Sequence, residues 1–512
     1  MKNSGSSSLF ERFAFSDKTL LVAAVCFLAL LASNFGSETR VLLVGDSTMA
    51  DKPTVDNPER GWGQMLPLFF RDNVIFTNCA RNGRSTKSFI NEGRWQAVLD
   101  QLKSGDFVFI QFGHNDEKTA DSTRYAAPWT AYKENLMRFV RETKQKGATP
   151  VLLTPVQRRK FDSTGKLVDT HGEYPEVVRE IAKEQNIQLF DLTKQTTDFL
   201  NRLGSEGSKK IFVQIDKHIF ESLPDGREDN THFNEYGATE IARLVAEDID
   251  RSTLPLKSFR RPFAVDSLVG INKIVALDYF YNCEWKLVGD KKTQFHYVWE
   301  DSANSGFSQL GDVIDHLGAY TTRLISAPTK DQLSHYSVYI IVDPDTPEET
   351  EHPNYTDDRA ATAIAEWVDD GGVLVLMAND KGNSEFKHFN TLAGKFGIQF
   401  NEDSYHRVVG NNFDEGKFSS LPSHPIFSGV RQIYMKEICS LTLQQPATEI
   451  LTENGRVFAA SARYGKGLVF AVGDPWLYNE YIDNRKLPMD FENKKAAVAL
   501  FKWLLEQAKP VM

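Results

Sequence analysis

The chain has 512 residues, of which 41% are hydrophobic, 25% charged and 12% aromatic. That is ordinary globular composition and excludes collagen, coiled coil and wholesale disorder. The 59 basic against 69 acidic residues leave a formal charge of −10, which argues against a phosphate-binding surface and against nucleic acid as a partner. At roughly 100–200 residues per domain, the length calls for two or three of them.

The first segment reads as an address rather than as fold. Leu20 to Ala32 is a run of 13 apolar residues, with Lys2, Arg12 and Lys18 ahead of it. Such a run suits a signal-peptide core and is short for a membrane-spanning helix. Residues 1–37 are therefore expected to be a signal peptide or N-terminal anchor. The bulk of the chain is then exported, periplasmic or extracellular, and touches a membrane only if this segment stays uncleaved. Cys26 lies inside it; Cys79, Cys283 and Cys439 remain. Three cysteines cannot form only internal pairs, and their spacing fits no zinc or redox motif.

Residues 38–255 form a first block. Short apolar runs recur at 40–44 (RVLLV), 74–77 (VIFT), 107–112 (FVFIQF), 149–153 (TPVLL) and 187–191 (IQLFD). Stretches of helical spacing, such as 131–146 and 174–184, separate them. Continuous apolar strands alternating with helices predict a parallel sheet covered on both faces. A second block, 268–512, repeats this logic at 273–278 (KIVALD), 338–343 (VYIIVD), 372–378 (GVLVLMA) and 467–474 (GLVFAVGD), with helical stretches at 360–368 and 494–507. Between the blocks, around 256–267, the stretch from Leu254 to Pro262 (LPLKSFRRP) is basic and carries proline, which suits an exposed connector.

Parallel sheets place ligands at the carboxyl ends of their strands, so those residues matter most. The first strand ends in Gly45-Asp46-Ser47-Thr48. A serine on a tight turn there can be a nucleophile, or simply a helix N-cap. After the second strand comes Arg81-Asn82-Gly83-Arg84, where a glycine lets backbone approach a ligand and offer its N–H, or merely makes a turn. The third strand runs into Gly113-His114-Asn115-Asp116, whose Asn115 amide can donate to a developing oxyanion. The last segment is Asp229-Asn230-Thr231-His232, ahead of a helix beginning near Asn234. Its carboxylate can hold one imidazole nitrogen while the other faces the cleft, or it can be an ordinary capped turn.

Together, Ser47, Gly83, Asn115 and His232 match the four blocks of the SGNH (GDSL-type) hydrolase family, which the first block resembles. The strings GDSTMADKP, ARNGRSTKSF, QFGHND, LVDTHGEYPEVVRE and DNTHFNEYGA are similar to those of rhamnogalacturonan acetylesterases. The resemblance implies a three-layer α/β/α, flavodoxin-like fold and an exported bacterial serine esterase. Its catalytic residues would be Ser47, Asp229 and His232, and its oxyanion hole the amides of Ser47 and Gly83 with the Asn115 side chain. The partner implied is acetylated pectic polysaccharide or its oligosaccharides. No cofactor or metal is expected. A metal set drawn from Asp46, His114, Asp116 and His232 has no tight ligand spacing. Arg81, Arg84, Lys87, Arg158 and Arg159 are candidates to pair with uronate carboxylates, and His114 to sit near the acetyl group. The other readings are an SGNH esterase for another acetylated polysaccharide or a lipid ester, and a non-catalytic carbohydrate-binding protein.

The second block resembles class I glutamine-amidotransferase-like domains in WVDDGGVLVLMAND and RYGKGLVFAVGDPWLYNEY. No cysteine follows its best candidate strand, where Asn379-Asp380 stands, so no amidotransferase activity is expected. Asp343, Asp345, Asn379, Asp380, Asp474 and Trp476 sit at strand ends and are candidates for a sugar-binding or vestigial cleft.

Overall fold

The computed structural model describes residues 39–265 and 268–511. The proposed export segment, 1–37, lies outside the described residues. The first sheet has five strands: β1 (Thr39–Gly45), β2 (Val74–Asn78), β3 (Phe107–Gln111), β4 (Thr149–Leu153) and β5 (Gln188–Phe190). Their order is β2-β1-β3-β4-β5, all parallel. The centre of the sheet is fully buried: Leu42 pairs with Val108, and neither is solvent-exposed. Helices Lys133–Gln145 and Tyr174–Gln185 cover one face, while Glu235–Arg251 covers the other. The apolar runs of the central strands β1, β3 and β4 reflect burial on both sides, whereas β2 and β5 at the edges bury one residue each.

Outside this sheet stands an antiparallel pair, β6 (Phe212–Ile215) and β7 (Arg227–Phe233). The sequence analysis reads 229–232 as the approach to a helix. In the structure these residues lie on β7, and the helix starts at Glu235 with the Asn234 side chain accepting from the Gly237 N–H.

The stretch 254–262 alternates exposed and buried positions, with Pro255, Lys257, Ser258, Arg261 and Pro262 exposed. Leu254 and Leu256 are buried. Arg260 donates to the Phe69 carbonyl, and Arg261 to that of Leu68 at 2.8 Å. Its basic residues serve backbone carbonyls of the first block, which a count of charges could not reveal.

In the second block, β8 (Ile274–Asp278) is followed by a small hairpin of β9 (Trp285–Val288) and β10 (Lys291–Gln294). Strands β11 (Tyr320–Leu324), β12 (Val338–Val342) and β13 (Val373–Met377) join β8 in a nine-stranded sheet. The expected all-parallel pattern holds from β11 through β8, β12 and β13 to Gly467–Val472. Beyond it the sheet turns antiparallel through Arg456–Tyr464, Leu441–Leu443 and Ile398–Phe400, so the block is a mixed, sheet-rich unit. Tight connections such as Tyr464 to Gly467 allow antiparallel return where a parallel crossover would need a dozen residues or more.

Candidate active site

Ser47 follows β1 on a turn. Residues 47–50 form no helix, so the N-cap alternative lacks a helix to cap. The turn is built by Asp46, which is wholly buried. One Asp46 oxygen accepts from the Thr48 N–H at 2.9 Å and the Thr48 hydroxyl at 2.8 Å. Gln111, at the end of β3, accepts from the Trp62 indole at 2.8 Å and donates to the Thr48 hydroxyl at 2.8 Å. The serine therefore sits on a braced corner rather than a loose loop.

His232 reaches that corner from β7. Its Nε2 lies 2.9 Å from Ser47 Oγ, and its Nδ1 lies 2.8 Å from Asp229 Oδ2. The other oxygen, Asp229 Oδ1, accepts the backbone N–H groups of Thr231 at 2.8 Å and His232 at 2.9 Å. Arg227 also donates to Oδ2. Partial burial pushes the Asp229 carboxyl up, yet the imidazole and these backbone donors outweigh it and draw the group far below the usual carboxylate range. Asp229 is thus an anion that orients the ring, and Ser47 Oγ faces the opposite nitrogen.

Two further strand ends close on the serine's side. The 81–84 turn is anchored by the Arg81 N–H donating to the Gly45 carbonyl at 3.0 Å. Gly83 adopts φ +73°, a left-handed conformation that glycine takes at no steric cost. Asn115 is buried, and its Nδ2 donates to the Arg84 carbonyl at 3.1 Å, which uses one of its two amide hydrogens. Asp116 accepts from the Thr86 N–H at 2.9 Å and from its hydroxyl, so the loops after β2 and β3 are locked together. In the sequence Asp116 stands only as a candidate metal ligand; its role in joining loops 30 residues apart has no local sequence signal.

His114 touches Asp46, with 3.3 Å between Nδ1 and Oδ2, and its ring packs edge-on against His171. Burial lowers its pKa to about 4, so it is neutral at pH 7. Burial pushes Asp46 up, but His114 and Thr48 more than offset this and bring it to about 2. Within this pair we take Asp46 as the ionised member, because the Thr48 donors persist when the imidazole is neutral. With Asp116 bonded to Thr86 and His232 to Asp229, no group of three metal-ligating side chains gathers among the described residues.

The arginine candidates divide. Arg158 is committed inward, paired with Glu117 and donating to the His114 carbonyl at 3.3 Å. Arg159 donates to the Ser205 carbonyl at 2.7 Å and to Asn230 at 2.9 Å. Both are supports of the loops, not free cations. Arg81 is exposed. Arg84 pairs with Glu92 at 3.0 Å and lines, with Gly83, Lys87, Glu92, Asp121 and Arg124, an open groove beside the glycine. Lys87 has one carbonyl partner, Ser122, at 2.8 Å. Arg124 holds Asp121 through Nε, and its Nη1 lies 3.6 Å from where a Cβ on Gly83 would stand. Arg124 stands in no motif, so its place beside Gly83 has no signal in the sequence.

Residues 43–239 match the model of the GDSL-like Lipase/Acylhydrolase family. Rhamnogalacturonan acetylesterase RhgT of Bacillus subtilis (strain 168) is 43% identical over 218 residues, spanning 43% of this chain and 92% of that protein. A probable rhamnogalacturonan acetylesterase of the same organism, YesY, is 36% identical over 216 residues, 42% of this chain and 94% of its own. The rhamnogalacturonan acetylesterase of Emericella nidulans is 41% identical over 241 residues, 43% of this chain and 87% of its own.

Proposed function

Because the chain belongs to the GDSL-like Lipase/Acylhydrolase family and is a carboxylic ester hydrolase, we propose that it removes O-acetyl groups from pectic rhamnogalacturonan or its oligosaccharides. The observation that carries the chemistry is the unbroken line from Ser47 Oγ through His232 to Asp229.

In the first half-reaction, His232 Nε2 takes the Ser47 proton as Oγ bonds to the acetyl carbonyl carbon. The oxyanion formed is held by the amides of Ser47 and Gly83 and by the free N–H of Asn115. Collapse breaks the bond to the sugar oxygen, which leaves with the proton from His232. Water then attacks the acetyl-enzyme, giving its proton to His232, and a second tetrahedral adduct collapses to acetate and free Ser47. Asp229 stays ionised throughout and stabilises the imidazolium. This chemistry requires no metal or organic cofactor.

The substrate reading rests on the named relatives and on the groove beside Gly83. A galacturonan carries carboxylates, and Lys87 and Arg124 retain donors that face that groove. The polymer is too large to enter a cell, which agrees with residues 1–37 acting as an export signal or anchor. The carboxyl-terminal block we read as amidotransferase-like without amidotransferase chemistry. Cys439 is buried, and burial pushes its thiol well up.

The test is acetate release from acetylated rhamnogalacturonan, acetylated xylan and an aryl acetate, by the full chain and by Ser47→Ala. We expect the pectic substrate to give the highest kcat/KM, and the variant to lose about 10⁴-fold or more on every substrate. A variant that retains turnover refutes the nucleophile, and a preference for xylan refutes the substrate.

A further inference from the structure

The catalytic histidine and aspartate do not lie on the main sheet. They ride on the β6–β7 hairpin, and much of what holds that hairpin belongs to the second block, beyond the residues 43–239 that match the family model. The loop joining β6 to β7 buries Ile219 and Phe220 within the second block's core, where the Phe220 ring meets Tyr320 edge-on at 5.9 Å. The Tyr320 hydroxyl accepts the Glu235 N–H at 2.9 Å, three residues beyond His232.

A second connection runs through the 53–60 segment. Val55 bridges Thr321 of β11, and the Asp56 N–H donates to the Thr321 carbonyl at 2.8 Å. Arg60 is fully buried, and its Nε and Nη2 donate to Asp315 Oδ1 at 3.0 and 2.7 Å. Asp315 lies on the second-block helix Ser308–His316. The Arg60 N–H in turn donates to the Phe233 carbonyl at 2.9 Å, one residue after His232. Its neighbour Glu59 accepts from Arg227 at 3.1 Å, and Arg227 donates to Asp229. Glu59 also pairs with Lys52 at 2.5 Å, which donates to Asn82 beside Gly83.

We propose that the carboxyl-terminal block is a built-in positioning element of the esterase, with Asp315 and Tyr320 acting through Arg60 and Glu235 to hold Asp229 and His232 in register with Ser47. This rests on the reading of those three residues as the catalytic set. Burial pushes the Glu235 carboxyl well above its usual range, with the nearby Asp315 adding to the effect. Glu235 cannot replace Asp315 as a tether between the blocks, because it belongs to the first block.

The experiment uses the full chain with two substitutions, Asp315→Asn and Tyr320→Phe, assayed on a neutral aryl acetate. The second readout is the low-field proton resonance of the imidazole N–H shared with Asp229. Tyr320→Phe removes a single hydrogen bond and should lower kcat about fivefold with KM unchanged. Asp315→Asn should lower kcat by about 10–100-fold, since a shift of about 1 Å in a catalytic group costs about 10²-fold. In both variants the low-field signal should broaden or move while the thermal midpoint still reports a folded protein. Wild-type kcat and an unchanged signal in the folded variants would overturn the proposal, as would a rise in KM alone. If Asp315→Asn does not fold, Tyr320→Phe decides. Failure of the parent reading looks different: Ser47→Ala would remain active, and the low-field signal would be missing from the wild type.

Discussion

Asp229→Asn removes one charge and almost no volume, so it tests the orientation of His232 in isolation. The Asp229 carboxylate receives four N–H groups. Oδ1 accepts two from the backbone, and Oδ2 accepts His232 Nδ1–H and Arg227. An amide can accept at only one of these positions. If its NH₂ takes the Oδ1 place, it faces two backbone donors that cannot move away. If it takes the Oδ2 place, His232 can relieve the clash by changing tautomer. Nδ1 then accepts from the amide, and Nε2 carries the proton and donates to Ser47 Oγ. That histidine cannot take the serine proton. The expected loss in kcat is about 10⁴-fold, or about 5 kcal/mol of transition-state stabilisation. KM for an aryl acetate should change little, because Asp229 does not touch substrate. Initial rates between pH 5 and 9, with circular dichroism confirming the fold, measure this. A variant retaining more than a tenth of wild-type kcat would refute the tautomer argument.

Arg124→Gln should raise KM for acetylated rhamnogalacturonan oligosaccharides about tenfold and leave aryl acetate kinetics alone, since a charge-assisted contact contributes about 1.5–3 kcal/mol; an equal effect on both substrates would remove the uronate assignment. Gly83→Ala has room, with its nearest neighbour 3.6 Å from the new Cβ. Its stability cost should be the left-handed backbone alone, about 1–2 kcal/mol by denaturant titration, while kcat falls as the amide turns. His114 makes stability depend on pH. Its pKa is about 4 folded against 6.5 for the free side chain, so its stabilising effect is complete above about 6.5. As the pH falls, the unfolded chain binds the proton first, and about 3 kcal/mol is lost by about pH 4. Comparing denaturation midpoints at pH 7 and 5 should show a flatter dependence for His114→Gln, and equal slopes would reject the reading.

How much was legible in the sequence follows from what each feature depends on. The central parallel strands declare themselves because burial on both faces forces continuous apolar runs, as in Val41–Val44 and Phe107–Ile110. Ser47, Gly83 and Asn115 are legible for a related reason: each lies within five residues of the end of a parallel strand, and parallel topology brings strand ends together. Strand β7 is silent because it carries the sequence REDNTHF and buries only Phe233 fully, so its polar face supplies the chemistry and leaves no periodicity. The arginines show the same limit. Their charge is legible and their partners, such as Glu117 against Arg158, are not. Arg60 and Asp315 stand 255 residues apart, and neither occupies a motif. Two charges buried against one another must be paired in the fold, since either alone would be costly, but nothing local identifies the pair. It is this unmarked contact, not the conspicuous serine, that decides whether the two halves of the chain work as one enzyme.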